Sequence, residues 1–152
     1  MFVRCPEYLW RMDTIRRGNA AEAAVLNALI RAELFVFVPF GEGSPIDLLV
    51  YTGCDLIKVQ VKYARVRDDC VVFNSCGTDH GRGRMNYEGR ADVFGVYSPE
   101  LDRVFIVPVK GCPNFQARLR LAPTRNNQQR GVRYAGDHAV EDWARSLGRA
   151  AA

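Results

Sequence analysis

The stretch from Ser44 to Ala64, SPIDLLVYTGCDLIKVQVKYA, limits what this chain can fold into more than any other. It reads as two strands joined by a tight turn at Thr52-Gly53-Cys54-Asp55. The first strand carries a single acid, Asp47, among Ile46, Leu48, Leu49 and Val50. The second alternates strictly. Ile57, Val59, Val61 and Tyr63 fall on one face, and Lys58, Gln60 and Lys62 on the other, because successive strand side chains point to opposite faces. One face must therefore be covered by another element, while the other holds Gln60 and Lys62 side by side.

The elements around this hairpin supply the cover. Arg16 to Leu34 reads as a helix, with Asn19 as an N-cap, an alanine-rich start, and Val25, Leu26, Leu29 and Ile30 at helical spacing toward a sheet. Residues 1–13 are expected to be a lead-in. Phe35 to Phe40 and Cys70 to Asn74 read as strands, as do Asp92 to Tyr97 and Val104 to Val109. Pro108 argues that the last of these lies at an edge or ends there. Thr78 to Arg90 reads as a glycine-rich loop leading into a short helical piece, and Phe115 to Gly136 as a polar, basic segment. Asp137 to Leu147 reads as a closing helix capped by Asp137, with His138 structural in its first turn. Helices flanking a mixed sheet make an α/β (α+β) architecture, and 152 residues suit a single domain.

The formal net charge is only +4, but it is segregated. No acid occurs between Arg103 and Gly136, a stretch that holds Arg103, Lys110, Arg118, Arg120, Arg125, Arg130 and Arg133, so the rest of the chain sums to −3. Such a distribution suits a surface that meets a polyanion. The five cysteines form no CxxC pair, and the first residues, broken by Arg4, Glu7 and Arg11, lack the apolar core of a signal peptide. Both features fit an intracellular protein with reduced thiols. No apolar run approaches the ~20 residues that span a bilayer.

The polar residues of the hairpin suggest chemistry. A carboxylate flanked by apolar residues is costly to bury without a partner or a metal. Asp47 supplies a carboxylate oxygen, Gln60 a neutral carbonyl oxygen and Val61 a backbone carbonyl, which are ligands that suit Mg²⁺ (or Mn²⁺). Lys62 brings a positive group that can stabilise hydroxide or transition-state charge. Glu22 has two readings. With Asn19 it has capping-box spacing, or it projects from the helix to the sheet end and joins the metal shell.

Taken together, GNAAE at 18–22, SPID at 44–47 and QVK at 60–62 resemble the PD-(D/E)XK nuclease pattern, a helix carrying Glu followed by a hairpin carrying Asp and a (D/E)xK tripeptide. MNYEGRADVFGVYSPELDRVFIVPV at 85–109 and LRLAPTRNNQQRGVRYAGDH at 119–138 are similar to one branch, the PD-(D/E)XK homing endonucleases encoded by group I introns of bacteria. The resemblance implies a restriction-endonuclease-like core and catalytic roles for Glu22, Asp47, Gln60 and Lys62. It also implies a homotetramer, while symmetric reading of paired half-sites by a chain this small asks for at least a dimer; Asp47, Gln60, Glu22 and Val61 are the expected metal shell. Gln60 stands where most of the superfamily has an acid, as in that branch, and Ile46 separates Pro45 from Asp47.

Double-stranded DNA is the expected partner. The candidate contacts are Arg65 and Arg67 beyond the hairpin; His80, Arg82, Arg84 and Asn86 in the glycine-rich stretch; and Arg118, Arg120, Arg125, Asn126, Asn127, Gln128, Gln129, Arg130 and Arg133 in the acid-free segment. Arg pairs bidentately with guanine, and Asn or Gln with adenine. Three functions fit these residues: a site-specific double-strand endonuclease of the intron-homing type, a structure-selective resolvase or repair nuclease, and a catalytically inactive DNA-binding relic.

Overall fold

A computed structural model describes residues 6–41, 43–79, 83–123 and 130–150. Helix α1 spans Pro6–Arg31. It begins ten residues earlier than the alanine-rich segment suggests, so the expected lead-in is largely helix and Asn19 lies in mid-helix, where it caps nothing. The helix ends in a Schellman turn. Glu33 adopts a left-handed φ of 62°, its N–H reaches Ile30 O at 2.9 Å, and Leu34 N–H reaches Leu29 O at 3.2 Å.

Five strands form the main sheet, in the order β1-β2-β3-β8-β9. They are β1 (Phe35–Phe37), β2 (Leu48–Tyr51), β3 (Leu56–Tyr63), β8 (Val93–Ser98) and β9 (Arg103–Pro108). All neighbours are antiparallel except β3 and β8, which run parallel, so the sheet is mixed. β9 forms one edge and ends at Pro108, as the proline requires. Between β3 and β8 the chain builds β4 (Arg65–Arg67), β5 (Cys70–Asn74), β6 (Cys76–Asp79) and β7 (Gly83–Asn86). The last two pair as a hairpin where a loop and a helical piece are expected from sequence. A further strand, β10 (Gln116–Arg120), joins β5 and β4 in a three-stranded sheet ordered β10-β5-β4. The closing helix α2 spans Val140–Ala150. A separate 3-10 turn at Ala135–His138 precedes it, so Asp137 belongs to that turn and does not cap the helix.

The main sheet has apolar cover on both faces. On one face Val50, Val59, Val61, Val93 and Ile106 pack against Ala21, Val25 and Leu29 of α1 and Val140 of α2. Leu26 joins this contact in part, while Ile30, expected there, is 55% exposed. On the other face Phe94, Val96, Phe105 and Val107 pack against Val71, Phe73, Ala117 and Leu119 of the three-stranded sheet. The first contact is unusually close at one point. A Cβ on Gly95 would lie 2.6 Å from Val25 Cγ1 and 3.2 Å from Val59 Cγ1, so the helix is seated directly on the strand backbone.

Candidate active site

The β2–β3 hairpin positions the site. Ser44 forms a tight local turn, donating from Oγ to Ile46 O at 2.6 Å and accepting from Ile46 N–H at 3.3 Å. Asp47 follows, and its N–H donates to Val59 O at 3.2 Å. That bond extends the register in which Leu48 faces Val59 and so sets Asp47 opposite Gln60. The Asp47 carboxylate closes the pair: Oδ2 accepts from Gln60 Nε2 at 2.5 Å and from Val61 N–H at 2.7 Å. Gln60 registers with Phe94, and Lys62 with Val96, across the parallel β3–β8 pair. Both therefore lie on the face away from α1, as strand alternation predicts.

Lys62 lies in an aromatic niche. Its Nζ donates to Cys76 O at 3.2 Å and to Tyr87 Oη at 3.1 Å. The same atom lies 4.2 Å from the Tyr87 ring centroid and 5.8 Å from that of Phe94. Burial pushes the Lys62 ammonium down to about 8, against the pull of Asp47 and Cys76 in the other direction. Tyr87 packs edge-on against Phe94, with centroids 5.6 Å apart. Its hydroxyl would lie only 2.9 Å from a Cβ on Gly77, so a bare backbone there makes room for it. Tyr87 is absent from the sequence reading. Its one signal there is an aromatic residue alone in the polar run MNYEG.

Glu22 projects from α1, and since Asn19 is mid-helix the capping reading lapses. Glu22 and Asp47 line one shallow cleft of about 200 Å³ together with Val38, Pro39, Gly41, Gly43, Ser44 and Ile46. Burial raises the Glu22 carboxyl above its ordinary value, and the nearby Asp47 charge raises it further. Burial likewise raises Asp47, opposed by the Val61 N–H bond and by Lys62. A carboxylate whose ionisation is disfavoured by a neighbouring one suits a cation beside the two. With its NH₂ committed to Asp47, Gln60 is left its carbonyl oxygen to offer. Among the described residues no three His, Cys, Asp or Glu gather at one place. The cleft itself is lined by the two carboxylates, and Gln60 and Val61 adjoin it through their bonds to Asp47, adding an amide oxygen and a strand carbonyl. All are hard oxygen donors, which fit Mg²⁺ or Mn²⁺ better than a softer ion.

The DNA-contact candidates divide by geometry. Arg65, Arg67 and Arg118 are exposed, and Arg120 is half-buried, donating to Ala122 O at 3.4 Å. Arg84 lies 4.0 Å above the Phe115 ring. Asn86 is bonded locally to Glu88 N–H and Asn114. Arg130 is exposed. Arg133 is tied into the fold, donating to Gly111 O and to Cys112 Sγ. His80, Arg82, Arg125, Asn126, Asn127, Gln128 and Gln129 lie outside the described residues. His138 holds Ile106 O at 3.1 Å through Nδ1, a structural position. Cys54, Cys70, Cys76 and Cys112 are free thiols, and no described helix is long and apolar enough to cross a membrane.

A family model described as PD-(D/E)XK endonuclease matches residues 12–141. No curated protein sequence matches the chain. Among solved structures, a bacterial homing endonuclease, I-Ssp6803I, is similar, with a TM-score of 0.69 and 23% identity over 91% of this chain and 95% of that one. At that identity the likeness is one of fold, and it includes the mixed sheet with helices described above. The family match covers most of the chain and spans Glu22, the hairpin and the three-stranded sheet, and on it the chain belongs to the PD-(D/E)XK endonuclease family.

Proposed function

We propose that this protein is a site-specific double-strand DNA endonuclease of the intron-homing type that uses Mg²⁺ (or Mn²⁺), with Glu22, Asp47, Gln60 and Lys62 as its catalytic residues. The observation that carries the reading is the Asp47 carboxylate, fixed by Gln60 and Val61 N–H on the strand that carries Lys62 two residues later. The fold likeness to a homing endonuclease supports the homing branch.

Asp47, Gln60, Glu22 and the Val61 carbonyl would hold the cation. Once bound it polarises a phosphoryl oxygen and lowers the pKa of water. The chain's own groups do the rest. Asp47 and Gln60 hold each other in one arrangement, so little reorganisation is needed as charge develops. Lys62, with its ammonium lowered to about 8, is mostly charged at pH 7 and keeps a minor neutral fraction. It can therefore accept a proton as water attacks phosphorus, or stabilise the negative charge that builds there. The P–O3′ bond breaks, leaving a 5′-phosphate and a 3′-hydroxyl. A chain of this size reads a long target by assembling as a homo-oligomer, since symmetric dimers read paired half-sites.

The test is cleavage of a plasmid carrying the fused exon junction of a candidate host intron, with wild type beside Lys62→Ala. A single double-strand break that requires Mg²⁺ and is absent in the variant and in EDTA is expected. Cutting that survives the substitution removes Lys62 from the mechanism. Cleavage of a four-way junction and not of linear duplex moves the chain to the resolvase reading. Binding without cutting leaves a DNA-binding relic.

A further inference from the structure

A basic surface of the described fold lies on the three-stranded sheet, sharing no lining residue with the cleft. Its inner face, with Val71, Phe73, Ala117 and Leu119, is core. Its outer face follows from the register. Arg118, Val72 and Arg65 form one cross-strand row; Arg120, Cys70 and Arg67 form the next; Gln116 stands opposite Asn74 at the end. Directly opposed antiparallel residues share a face. The two outer strands thus carry arginines, while the central strand contributes Val72 and Cys70, 8% and 5% exposed, as a floor beneath them. A groove of about 420 Å³ runs along this face, lined by Arg65, Arg67, Arg118, Gln116 and Asn74 among others, with Asp68 as its acid.

A solvated basic face is the ordinary explanation of such a patch, and three observations go beyond it. First, the ion pairs among the described residues are Arg17–Asp13 and Arg145–Asp142, so none of Arg65, Arg67 and Arg118 is ion-paired with a described residue, and the nearby Glu100 carboxylate is engaged by Val66 N–H. Arg118 makes one weak bond, to Gln116 Oε1 at 3.4 Å. Second, the arginines of β4 and those of β10 lie two strand spacings apart, about 10 Å, a width that fits a major groove of about 12 Å. Third, the residue types are those with two-pronged base partners, the Arg fork for guanine and the carboxamides of Asn and Gln for adenine. Lysine, the plain phosphate neutraliser, is absent from these strands.

We infer that the outer face of the β10-β5-β4 sheet enters the major groove of the substrate duplex and reads base edges there, Arg65 and Arg118 taking guanine and Asn74 and Gln116 adenine. The inference rests on the duplex-endonuclease reading above. β3 runs almost directly into β4: Tyr63 and Ala64 alone stand between Lys62 and Arg65, and the three steps span at most about 11 Å of extended chain. The base read by Arg65 therefore lies near the scissile phosphate, and those read from β10 lie about 10 Å farther off.

The experiment is binding selection of the full chain from a randomised 30-base-pair duplex library, with Ca²⁺ in place of Mg²⁺ so that cutting does not deplete the pool. Wild type is compared with Arg65→Lys, Arg118→Lys, Gln116→Ala and the control Arg145→Ala. Lysine keeps the charge and loses the fork, so phosphate contact survives it and guanine recognition does not. The expected result is that each lysine variant loses preference at one or two adjacent guanine positions, about tenfold in relative enrichment, with an unchanged salt slope. Gln116→Ala loses an adenine position, and Arg145→Ala returns the wild-type motif. If the lysine variants enrich the wild-type motif, this face touches phosphates at most, and the inference fails. It fails equally if wild type binds duplex without enriching any motif. If wild type retains no duplex from the library, the endonuclease reading beneath it fails as well, a result distinct from the other two.

Discussion

Replacing Lys62 with methionine is expected to stabilise the metal-free protein while abolishing cleavage. Folding moves the Lys62 ammonium from 10.5 down to about 8, chiefly by burial. That gap of about 2.5 units, at about 1.4 kcal/mol each, is about 3 kcal/mol spent on keeping the charge inside at pH 7. It already includes the attraction of Asp47. Methionine has a similar length, fits beside Tyr87 and Phe94, and carries no charge. Losing the bonds to Cys76 O and Tyr87 Oη, at about 1 kcal/mol each, subtracts about 2 kcal/mol, leaving a gain of about 1 kcal/mol. The sign with pH follows from proton uptake. Between about 8 and 10.5 the unfolded lysine is protonated and the folded one is not, so wild-type stability rises with pH across that window. Below it the full cost remains, and above it none does. Urea denaturation followed by circular dichroism, in EDTA at pH 7, 8.5 and 9.5, measures the difference. The variant's advantage is largest at pH 7 and shrinks at each step. A variant less stable than wild type at pH 7, or an advantage that ignores pH, would refute the buried-charge reasoning.

Three further outcomes are expected. Tyr87→Phe removes an acceptor from Lys62 Nζ but keeps the ring beneath it, so kcat falls about tenfold while duplex affinity in Ca²⁺ stays constant; equal loss in both would assign Tyr87 to binding. Glu33→Gly relieves a left-handed residue at the end of α1 and raises stability by about 1 kcal/mol, read as a higher urea midpoint at unchanged m. Adding Mg²⁺ at a hundred times its dissociation constant raises wild-type stability by about 2.7 kcal/mol, and Asp47→Asn loses most of that gain; an equal metal response in both would remove Asp47 from the shell.

The hairpin and its polar face were legible because alternation is a local property. Asp47, Gln60 and Lys62 needed only the strand period and a turn to be brought together. Glu22 was ambiguous for a local reason too. Asn19 has the spacing of a cap, and nothing in the nearby residues reveals that the helix has already run from Pro6. The polar strands β6, β7 and β10 read CGTD, GRMN and QARLR, and they hold strand geometry through their partners rather than through β-branched side chains. The 3-10 turn before α2 escaped for a similar reason, since Asp137 fits either a cap or a turn. Tyr87 was out of reach because its tie to Lys62 spans 25 residues and exists only in the folded sheet.

Gly95 gives the molecule a gauge. Val25 lies three residues, nearly one helical turn, beyond Glu22, and its methyl groups rest where a side chain on Gly95 would stand. The depth of that seat fixes the height of α1 above the sheet, and with it how far the Glu22 carboxylate leans toward Asp47. A single methyl at position 95 would act as a shim under one end of a lever, lifting Glu22 away from the hairpin without touching any polar atom. Core packing and the spacing of the two cleft carboxylates are therefore one adjustment in this protein, and a substitution that looks like a core defect would reshape the cleft at its far end.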